Sequence, residues 1–325
     1  MISNNFSFEP NFLFRNKYIQ TILGSIVSGN TNLPKRKLHK LLIGQNAKLI
    51  LLELSSNNPE ATLILLVHGM GGSSESCYIR RIARKLWTRG FTVLMMNQRG
   101  SGLGMGLSDR LWNGGSSDDL DIVINYLGKI YPNRFVNIAG FSLSGNILLK
   151  YLGEKKNNTV NIRQAIAINP PIDLKRASYV LSKTNWGRVF NNYYMRQIYL
   201  QVEAMAECFP DAFIPPKKST ILEFDDVYTA PVAGYKNSDD YYATCSAKNL
   251  LEDIAVPTTI LCAMDDPFVE PSIFKSVRMS RAIELNTPQN GGHMGYLSRE
   301  PTPLGDYRWM DFIVVDWMNG QQGTE

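Results

Sequence analysis

The stretch Phe135–Glu154, FVNIAGFSLSGNILLKYLGE, carries the strongest structural signal in the chain. Residues 135–139 form a continuous apolar run that predicts a buried strand, and a helical pattern begins at Leu143. The chain must therefore turn sharply around Ser142. A strand, a sharp turn and a helix around a serine are typical of a nucleophile elbow, which exposes the serine hydroxyl at the edge of a sheet. We therefore predict that Ser142 is a nucleophile.

The predicted elbow departs from the usual G-x-S-x-G pattern at one position. Gly140 precedes Ser142 by two residues, but Ser144 stands where the second glycine is expected. Small residues at these two places let the strand and the helix pass closely. Serine is small enough that we expect it to fit.

Short apolar runs alternate with helical patterns on both sides of the elbow. The runs predict strands at 63–67, 91–96, 135–139, 165–168, 258–262 and 281–285. The helical patterns cover 75–89, 117–130, 143–154 and 306–318. This alternation favours an α/β fold with a parallel sheet covered on both faces.

The segment 171–240 interrupts the alternation, because no strand pattern occurs in it. Apolar residues three to five apart, among them Trp186, Phe190 and Tyr193, fit one or two helices. Such a face could be ordinary core packing. An insertion between sheet strands favours a cap over the carboxyl end of the sheet, where α/β proteins place their sites. We expect a core of residues 1–170 and 241–325, a helical cap at 171–240, and substrate contacts from these three aromatic residues.

A serine nucleophile needs an imidazole base, and the chain has only three histidines. His293 follows the last predicted strand, and the glycines around it free the backbone to aim the ring. His68 begins a glycine-rich loop that suits an oxyanion hole, so we interpret it as orienting that loop. Met70 and Leu143 are the expected N–H donors. His39 is expected on the surface.

The third member of such a triad is a carboxylate that orients the histidine. Asp265 and Asp266 follow the strand predicted at 258–262, and either could be the partner of His293. Ordinary turn chemistry could also explain an Asp-Asp-Pro sequence. The order serine, aspartate, histidine along the chain is the order expected for this fold and favours the catalytic interpretation.

Composition excludes several classes of protein. With 325 residues, 44% of them hydrophobic and 19% charged, the chain can bury a large core and is not a disordered protein. Four isolated cysteines and three histidines argue against a zinc site or a disulfide framework, so we expect reduced, mostly buried thiols and no cofactor or metal.

Charge and targeting signals are weak. The net charge of +5 is mild, and the basic run Ile79–Arg89 predicts a solvated helix face rather than a nucleic-acid or membrane patch. The first residues, MISNNFSFEP, lack a signal-peptide pattern, and the apolar stretch 18–27 is too short to span a membrane. A cytoplasmic protein is expected. The loop 97–106 does not match G-x-G-x-x-G and is predicted to be a surface loop rather than a nucleotide site.

Six stretches resemble a known family: RNKYIQT from Arg15, HGMGGSSESCYIRR from His68, NQRGSG from Asn97, GFSLSGNILLKYLGE from Gly140, EFDDVYTAP from Glu223 and MDDPF from Met264. The chain resembles the YheT-like branch of the α/β-hydrolase superfamily, which is similar to the ABHD-type lipases and esterases of eukaryotes. The resemblance covers nearly the whole chain.

The resemblance implies a mostly parallel, eight-stranded hydrolase sheet with a helical cap, and hydrolysis of carboxylic esters without a cofactor. It implies a triad of Ser142, Asp266 and His293, with Asp266 preferred because the acid of the superfamily usually lies three residues after the small residue that ends the strand. Two departures are Ser144 and Asn113. Asn113 stands where relatives commonly carry histidine, and this difference could alter substrate choice.

We therefore expect a serine esterase or lipase-like enzyme that acts through an acyl-enzyme on an ester with an apolar acyl group. An alcohol acyltransferase with the same triad is the alternative enzyme. A non-catalytic ligand-binding protein is the alternative from another class. The expected partner is a small-molecule or lipid-like ester; nucleic acid is not expected, and peripheral membrane contact is not indicated.

Overall fold

An eight-stranded sheet is the centre of the molecule in a computed structural model that describes residues 8–26, 29–45, 47–155 and 161–319. The strands are β1 (Lys37–Leu42), β2 (Lys48–Leu54), β3 (Leu63–Val67), β4 (Thr92–Asn97), β5 (Val136–Phe141), β6 (Ile162–Ile168), β7 (Thr258–Leu261) and β8 (Ile283–Asn286). Their order across the sheet is β1-β2-β4-β3-β5-β6-β7-β8. Strand β2 runs antiparallel to both β1 and β4, and all other neighbours are parallel. The predicted mostly parallel, eight-stranded hydrolase sheet is confirmed.

Ten α-helices surround or extend this sheet within the described residues. They are α1 (Lys17–Ile26), α2 (Cys77–Trp87), α3 (Ser117–Ile130), α4 (Leu143–Lys155), α5 (Leu174–Lys183), α6 (Asn185–Cys208), α7 (Ile221–Phe224), α8 (Ala230–Val232), α9 (Ser238–Cys245) and α10 (Trp309–Asn319). A π turn at Asp225–Thr229 joins α7 to α8. None of these helices is both long and apolar enough to cross a membrane.

The two faces of the sheet are covered by different helices, because successive side chains of a strand point in opposite directions. Along β3, Leu63, Leu65 and Val67 enter a core that includes the buried faces of α3 and α4. Ile64 and Leu66 enter a second core with α2 and α10. Burial on both faces explains why β3 reads as a continuous apolar run rather than as an alternating one.

Five helices, α5 to α9, lie between β6 and β7, and the sheet contains no strand from this interval. The long helix α6 begins at an N-cap in which the Thr184 hydroxyl accepts the Gly187 N–H at 3.0 Å. Apolar residues of α5, α6 and α7, including Leu181, Met195 and Phe224, pack together with Phe268 in a separate core. This core supports the helices above the carboxyl edge of the sheet.

The segment predicted to hold one or two helices contains the short helices α7 and α8 and the start of α9 as well. The other helices and strands of the sheet that the sequence patterns missed lie before residue 55. Helix α1 was not predicted because its apolar residues occupy one face of only ten residues. Strands β1 and β2 were also not predicted from the patterns, although KLILLEL in β2 is a clear apolar run. Both strands pair antiparallel at one edge of the sheet, outside the alternation of strands and helices that guided the prediction.

The expectation of a surface His39 is wrong. Its ring is buried on β1, where Nε2 lies 2.8 Å from a carboxylate oxygen of Glu53 and Nδ1 lies 2.8 Å from the hydroxyl of Tyr126. The neighbouring lysines in Lys37–Lys40 suggested a polar segment. In the strand, Lys40 points away from the side that buries His39, whereas Lys37 is on the same side but exposed at the start of the strand.

The expectation of a solvated basic face on α2 also needs correction. Arg81 is only 3% exposed and donates from Nε to Oδ2 of Asp311 on α10, at 3.0 Å. Lys85 donates to the same carboxylate at 2.7 Å. Two of the cations of the basic run thus fix one helix to another and are not available to a polyanion.

The loop at 97–106 is less exposed than a surface loop, since Asn97, Gln98 and Ser101 are buried. Among the cysteines, which are all free thiols, Cys245 and Cys262 are buried as expected, whereas Cys208 is exposed.

Candidate active site

The turn between β5 and α4 holds Ser142 in a strained backbone conformation with φ of +51°. Non-glycine residues rarely adopt this left-handed region, and such strain concentrates at functional sites. The close passage of strand and helix requires Gly140, because a Cβ there would lie 2.6 Å from the Ser144 carbonyl oxygen. The local sequence thus produces the elbow that its pattern predicts.

Three predicted residues come together at the carboxyl edge of the sheet. The hydroxyl of Ser142 lies 2.7 Å from Nε2 of His293, and Nδ1 of His293 lies 2.8 Å from Oδ2 of Asp266. The side chains of His293 and Asp266 are 6% and 0% exposed. A carboxylate in this position holds the imidazole in the tautomer that can take a proton from the serine.

The carboxylate of Asp266 is fixed by further donors. Its Oδ1 accepts the backbone N–H groups of Phe268 at 2.8 Å and Val269 at 2.9 Å. Its Oδ2 also accepts from the side-chain amide of Asn169 at 2.6 Å, and the hydroxyl of Tyr296 donates to the carbonyl oxygen of that amide. Four donors, counting His293, therefore set the direction in which the carboxylate faces the imidazole.

The neighbouring Asp265 has a different geometry. Its Oδ1 accepts the N–H of Gly292, one residue before His293, at 2.9 Å. Burial raises the pKa of the Asp265 carboxyl, and the Gly292 N–H opposes that rise. Of the two aspartates that the sequence left open, Asp266 thus contacts the imidazole and Asp265 contacts the backbone beside it.

The loop that carries His293 is packed against helix α1. The Thr21 hydroxyl accepts the backbone N–H of His293 at 2.9 Å and donates to the carbonyl of Lys17 at 2.7 Å. The approach is so close that a Cβ at Gly24 would lie 2.6 Å from Cα of Gly295. A helix near the start of the described chain thus fixes the position of a residue near its end.

Two backbone N–H groups near Ser142 have no acceptor within the part of the chain that the structure describes. Leu143 is the first residue of α4, where N–H groups have no acceptor within the helix. Among the described residues, no hydrogen bond is found from the N–H of Leu143 or from that of Met70. A Cβ at Gly69 would lie 3.0 Å from Cβ of Ser142, so the loop that carries Met70 approaches the serine directly.

His68, at the start of this loop, makes hydrogen bonds that hold it in place. Its Nδ1 donates to the carbonyl of Gly69 at 2.8 Å, and its Nε2 accepts the N–H of Gln98 at 3.1 Å. Burial lowers the pKa of His68 to about 4, which keeps the ring neutral and able to accept. The contacts agree with an orienting role for His68.

Ser144, the departure from the usual motif, connects the elbow to the same loop. Its hydroxyl donates to the backbone carbonyl of His68 and accepts from the side-chain amide of Gln98 at 3.0 Å. The serine is 1% exposed. A glycine in this position could make neither bond.

Two depressions meet at Ser142 and His293. A cavity whose mouth is open to solvent is lined by residues of α5, α6 and the segment 221–242, and we call it the enclosed cavity. A wider groove lies between α1 and α6. The residues common to both are Met70, Gly71, Ser142, Tyr194 and His293.

The three aromatic residues predicted as substrate contacts occupy different places. Phe190 and Tyr193 line the groove, but neither is among the residues that line the enclosed cavity. Trp186 lines neither space; it is half exposed and stacks on Tyr18 of α1, with the ring centroids 4.4 Å apart. The enclosed cavity is lined instead by Tyr194, Ile198 and Gln201 on the same helix.

Sequence reasoning missed Asn169 and Thr21, which orient the acid and the histidine. Thr21 ends the stretch Arg15–Thr21, which carried part of the family resemblance but no assigned role. Asn169 directly follows β6, and a polar residue at the carboxyl end of a central strand could have drawn attention to it.

The arrangement can deprotonate a serine and hold a developing oxyanion, which is the chemistry of acyl transfer. Within the described ranges, no group of three or more His, Cys, Asp and Glu side chains is placed to hold a metal ion.

Comparison with known proteins agrees with this geometry. The family model described as alpha/beta hydrolase fold matches residues 62–300. The YheT protein of Escherichia coli (strain K12), whose name classes it with the esterases, is 27% identical over 97% of this chain and 95% of its own. A monoacylglycerol lipase of Saccharomyces cerevisiae is 31% identical over 75% of this chain and 56% of its own.

Among solved structures, the esterase Pf2001 of Pyrococcus furiosus is similar, with a TM-score of 0.56 over 89% of this chain and 94% of its own. The sequence identity is only 16%, so this likeness concerns the fold.

Proposed function

The chain belongs to the α/β-hydrolase family and is a carboxylic ester hydrolase, and we propose that it acts through a triad of Ser142, His293 and Asp266. The observation that supports this triad best is the continuous pair of hydrogen bonds from the serine hydroxyl through the imidazole to the carboxylate, at 2.7 and 2.8 Å. This is the arrangement in which a serine becomes nucleophilic near neutral pH.

In the proposed reaction, Oγ of Ser142 attacks the ester carbonyl carbon while Nε2 of His293 takes the hydroxyl proton. The carbonyl oxygen becomes an oxyanion that accepts from the N–H groups of Met70 and Leu143. His293 then gives its proton to the leaving alkoxide, which departs as the alcohol and leaves an acyl-enzyme. Water, deprotonated by the same imidazole, attacks the acyl carbon; the acid leaves and the serine regains its proton.

Oxyanion stabilisation supplies a large part of the proposed rate enhancement. Each donor of an oxyanion hole contributes on the order of 3 kcal/mol in other hydrolases. The Met70 and Leu143 N–H groups are suited to this role because they are fixed by a turn and by a helix start, and need not reorganise during the reaction.

We further propose that the enclosed cavity holds the acyl chain, and that the groove between α1 and α6 admits the alcohol. Most of the cavity lining is apolar, including Leu143, Leu174, Leu181, Ile198 and Phe268. Burial of an alkyl chain against such a surface contributes roughly 0.8 kcal/mol per methylene. In this proposal residues 171–240 act as the cap that closes the cavity.

Hydrolysis of a series of p-nitrophenyl esters, from acetate to dodecanoate, tests the nucleophile. Ser142→Ala should abolish turnover and labelling by a fluorophosphonate. Ser276→Ala, which removes an exposed hydroxyl away from the site, should change neither. Full activity in Ser142→Ala would overturn the triad, and the best chain length of the native protein would measure the cavity.

Added alcohols distinguish hydrolysis from acyl transfer. If water is the acceptor, increasing ethanol should leave the free acid as the main product. Predominant formation of the ethyl ester at low ethanol concentration would instead identify an acyltransferase with the same triad. A protein that neither turns over esters nor reacts with the fluorophosphonate would be a ligand-binding member of the family.

A further inference from the structure

The enclosed cavity has two chemically different ends. At one end it meets the groove, around Ser142 and His293. At the other end it shares Leu111, Trp112, Asn113, Phe224 and Thr229 with a separate polar pocket, and none of these five residues lines the groove. This second set therefore marks the part of the cavity that borders the polar pocket rather than the groove, and we call it the remote end.

A buried carboxyl group lies at the remote end. Asp225, the first residue of the π turn, lines the cavity, and its Oδ2 accepts from the hydroxyl of Tyr242 at 2.8 Å. The Thr229 hydroxyl lies close enough to this carboxyl to favour its ionised form. Burial raises the pKa of Asp225 to about 6, against the effect of the two hydroxyl donors. The group is therefore close to the point at which it can either donate or accept a hydrogen bond near neutral pH.

Helix α6 adds an amide that has no partner. Gln201 lines the cavity and is 8% exposed, yet its side chain makes no hydrogen bond to another described residue. It lies on the same helix face as Tyr194 and Ile198, which also line the cavity. At a rise of 1.5 Å per residue, Gln201 is about 10 Å along the helix from Tyr194, which is at the nucleophile end.

A second amide points to the same chemistry. The Oδ1 of Asn113 accepts the N–H of Gly115 at 2.8 Å, which leaves its two amide hydrogens without a partner among the described residues. Two amides with unused hydrogen-bonding capacity and one carboxyl thus line a cavity that is otherwise mainly apolar. Their combined presence is not needed to hold a plain alkyl chain.

An unsubstituted alkyl chain would remove the two amides from water without giving them partners, which weakens binding. A hydroxyl group on the chain could accept from an amide and donate to the carboxyl. Sites built in this way reject analogues that lack the hydroxyl, because their own polar groups are then left unpaired.

Resting on the proposed function, we infer that the enclosed cavity selects an acyl chain that carries a hydroxyl group in its distal half, recognised by Gln201 and Asp225. The ester bond is cleaved at Ser142 as for any other acyl group. The hydroxyl takes no part in the reaction and determines only which chain is bound.

The test compares p-nitrophenyl esters of equal chain length, from octanoate to dodecanoate. Each length is measured unsubstituted, with a hydroxyl at the far end, and with a hydroxyl next to the carbonyl. The native protein should have a higher kcat/KM for the terminal hydroxy ester than for the other two. Gln201→Leu should reduce the ratio of the terminal hydroxy to the unsubstituted ester by about tenfold, chiefly through KM.

Further variants test whether a change in the ratio comes from the polar groups of the cavity. Gln201→Met is a second apolar variant of similar length, and Asp225→Asn should reduce the same ratio while keeping an acceptor oxygen. Asn192→Leu removes an exposed amide of α6 and should leave the ratio unchanged. Labelling of Ser142 by a fluorophosphonate, measured in every folded variant, reports the nucleophile independently.

Three results would overturn the inference. The first is a native preference for the unsubstituted ester. The second is a ratio that does not change in either Gln201 variant. The third is an effect of the Gln201 variants that appears only with esters whose hydroxyl is on the alcohol, measured by comparing the decanoate ester of butanediol with that of butanol. The cavity would then hold the alcohol rather than the acyl chain. Failure of the fluorophosphonate to label Ser142 in the native protein would overturn the proposed function instead.

Discussion

Two adjacent aspartates in one turn have separate tasks in the proposed site. Asp266 accepts from the imidazole of His293, whereas Asp265 accepts the N–H of Gly292. Replacing Asp266 by asparagine would put an amide against Nδ1 and favour the wrong tautomer of the histidine. The same change at Asp265 keeps an oxygen that can accept from Gly292.

We predict that Asp266→Asn lowers kcat by roughly 10⁴-fold and leaves KM nearly unchanged, as expected for loss of the orienting carboxylate. Asp265→Asn should lower kcat by less than about tenfold. Steady-state kinetics on one p-nitrophenyl ester measures both. Equal losses in the two variants would show that the acid of the triad is wrongly assigned.

The individual residues that could be predicted are those with a local signature. Ser142 stands between a strand and a helix, and His293 stands between glycines after the last strand, so each is visible in a short window of sequence. Asn169 and Thr21 act across 97 and 272 residues of sequence, and no local pattern marks such partners. His39 was misplaced for the same reason, since its partner Glu53 lies on the next strand.

At the scale of elements, α1 contacts the loop that carries His293 through both a side chain and the backbone. Thr21 accepts the backbone N–H of His293, and Gly24 allows the helix to touch Gly295. Patterns of alternation predicted the strands and helices of the α/β repeat within a few residues, but α1, β1 and β2 lie outside that repeat and were missed. The part of the fold that positions the histidine was thus the part least visible in the sequence.

We predict that Thr21→Val lowers kcat by about tenfold, because an unpaired buried N–H costs roughly 1–3 kcal/mol and frees the histidine loop to move. Thr21→Ser restores the hydroxyl and should recover most of the activity. The measurement is kcat and KM across pH for both variants. If Thr21 had only a structural role, both variants would have a changed thermal midpoint, and their kcat values would not differ from each other.

At the scale of the whole molecule, one ion cluster joins helices that are more than 200 residues apart. Arg81 and Lys85 of α2 both bind the buried Asp311 of α10, on the face of the sheet opposite to α3 and α4. Burial alone would raise the pKa of Asp311, but the two cations together lower it. A carboxylate with a lowered pKa stabilises the fold above its unfolded pKa, and this contribution is lost as the pH falls through the folded value.

We predict that Asp311→Asn lowers the free energy of unfolding by about 3–5 kcal/mol at neutral pH, because it removes the buried negative charge that both Arg81 and Lys85 bind. The difference in the free energy of unfolding between the native protein and Asp311→Asn should become smaller in acid, where the carboxylate of native Asp311 is also protonated. Asp239→Asn is the matched control, since its pair with Lys175 is exposed on both sides and contributes less than about 1 kcal/mol. Urea unfolding at several pH values measures both variants, and an equal, pH-independent loss would contradict the assignment.

The docking of α1 on the histidine loop also bears on how the protein is made. Synthesis proceeds from the amino end, and domains acquire structure as the chain emerges. The elbow serine is completed 151 residues before its base, and α1 must wait for the loop that it supports. A nascent chain on the ribosome therefore carries a serine without a base, and under the proposed mechanism it can cleave no ester until β8 and the loop after it have joined the sheet.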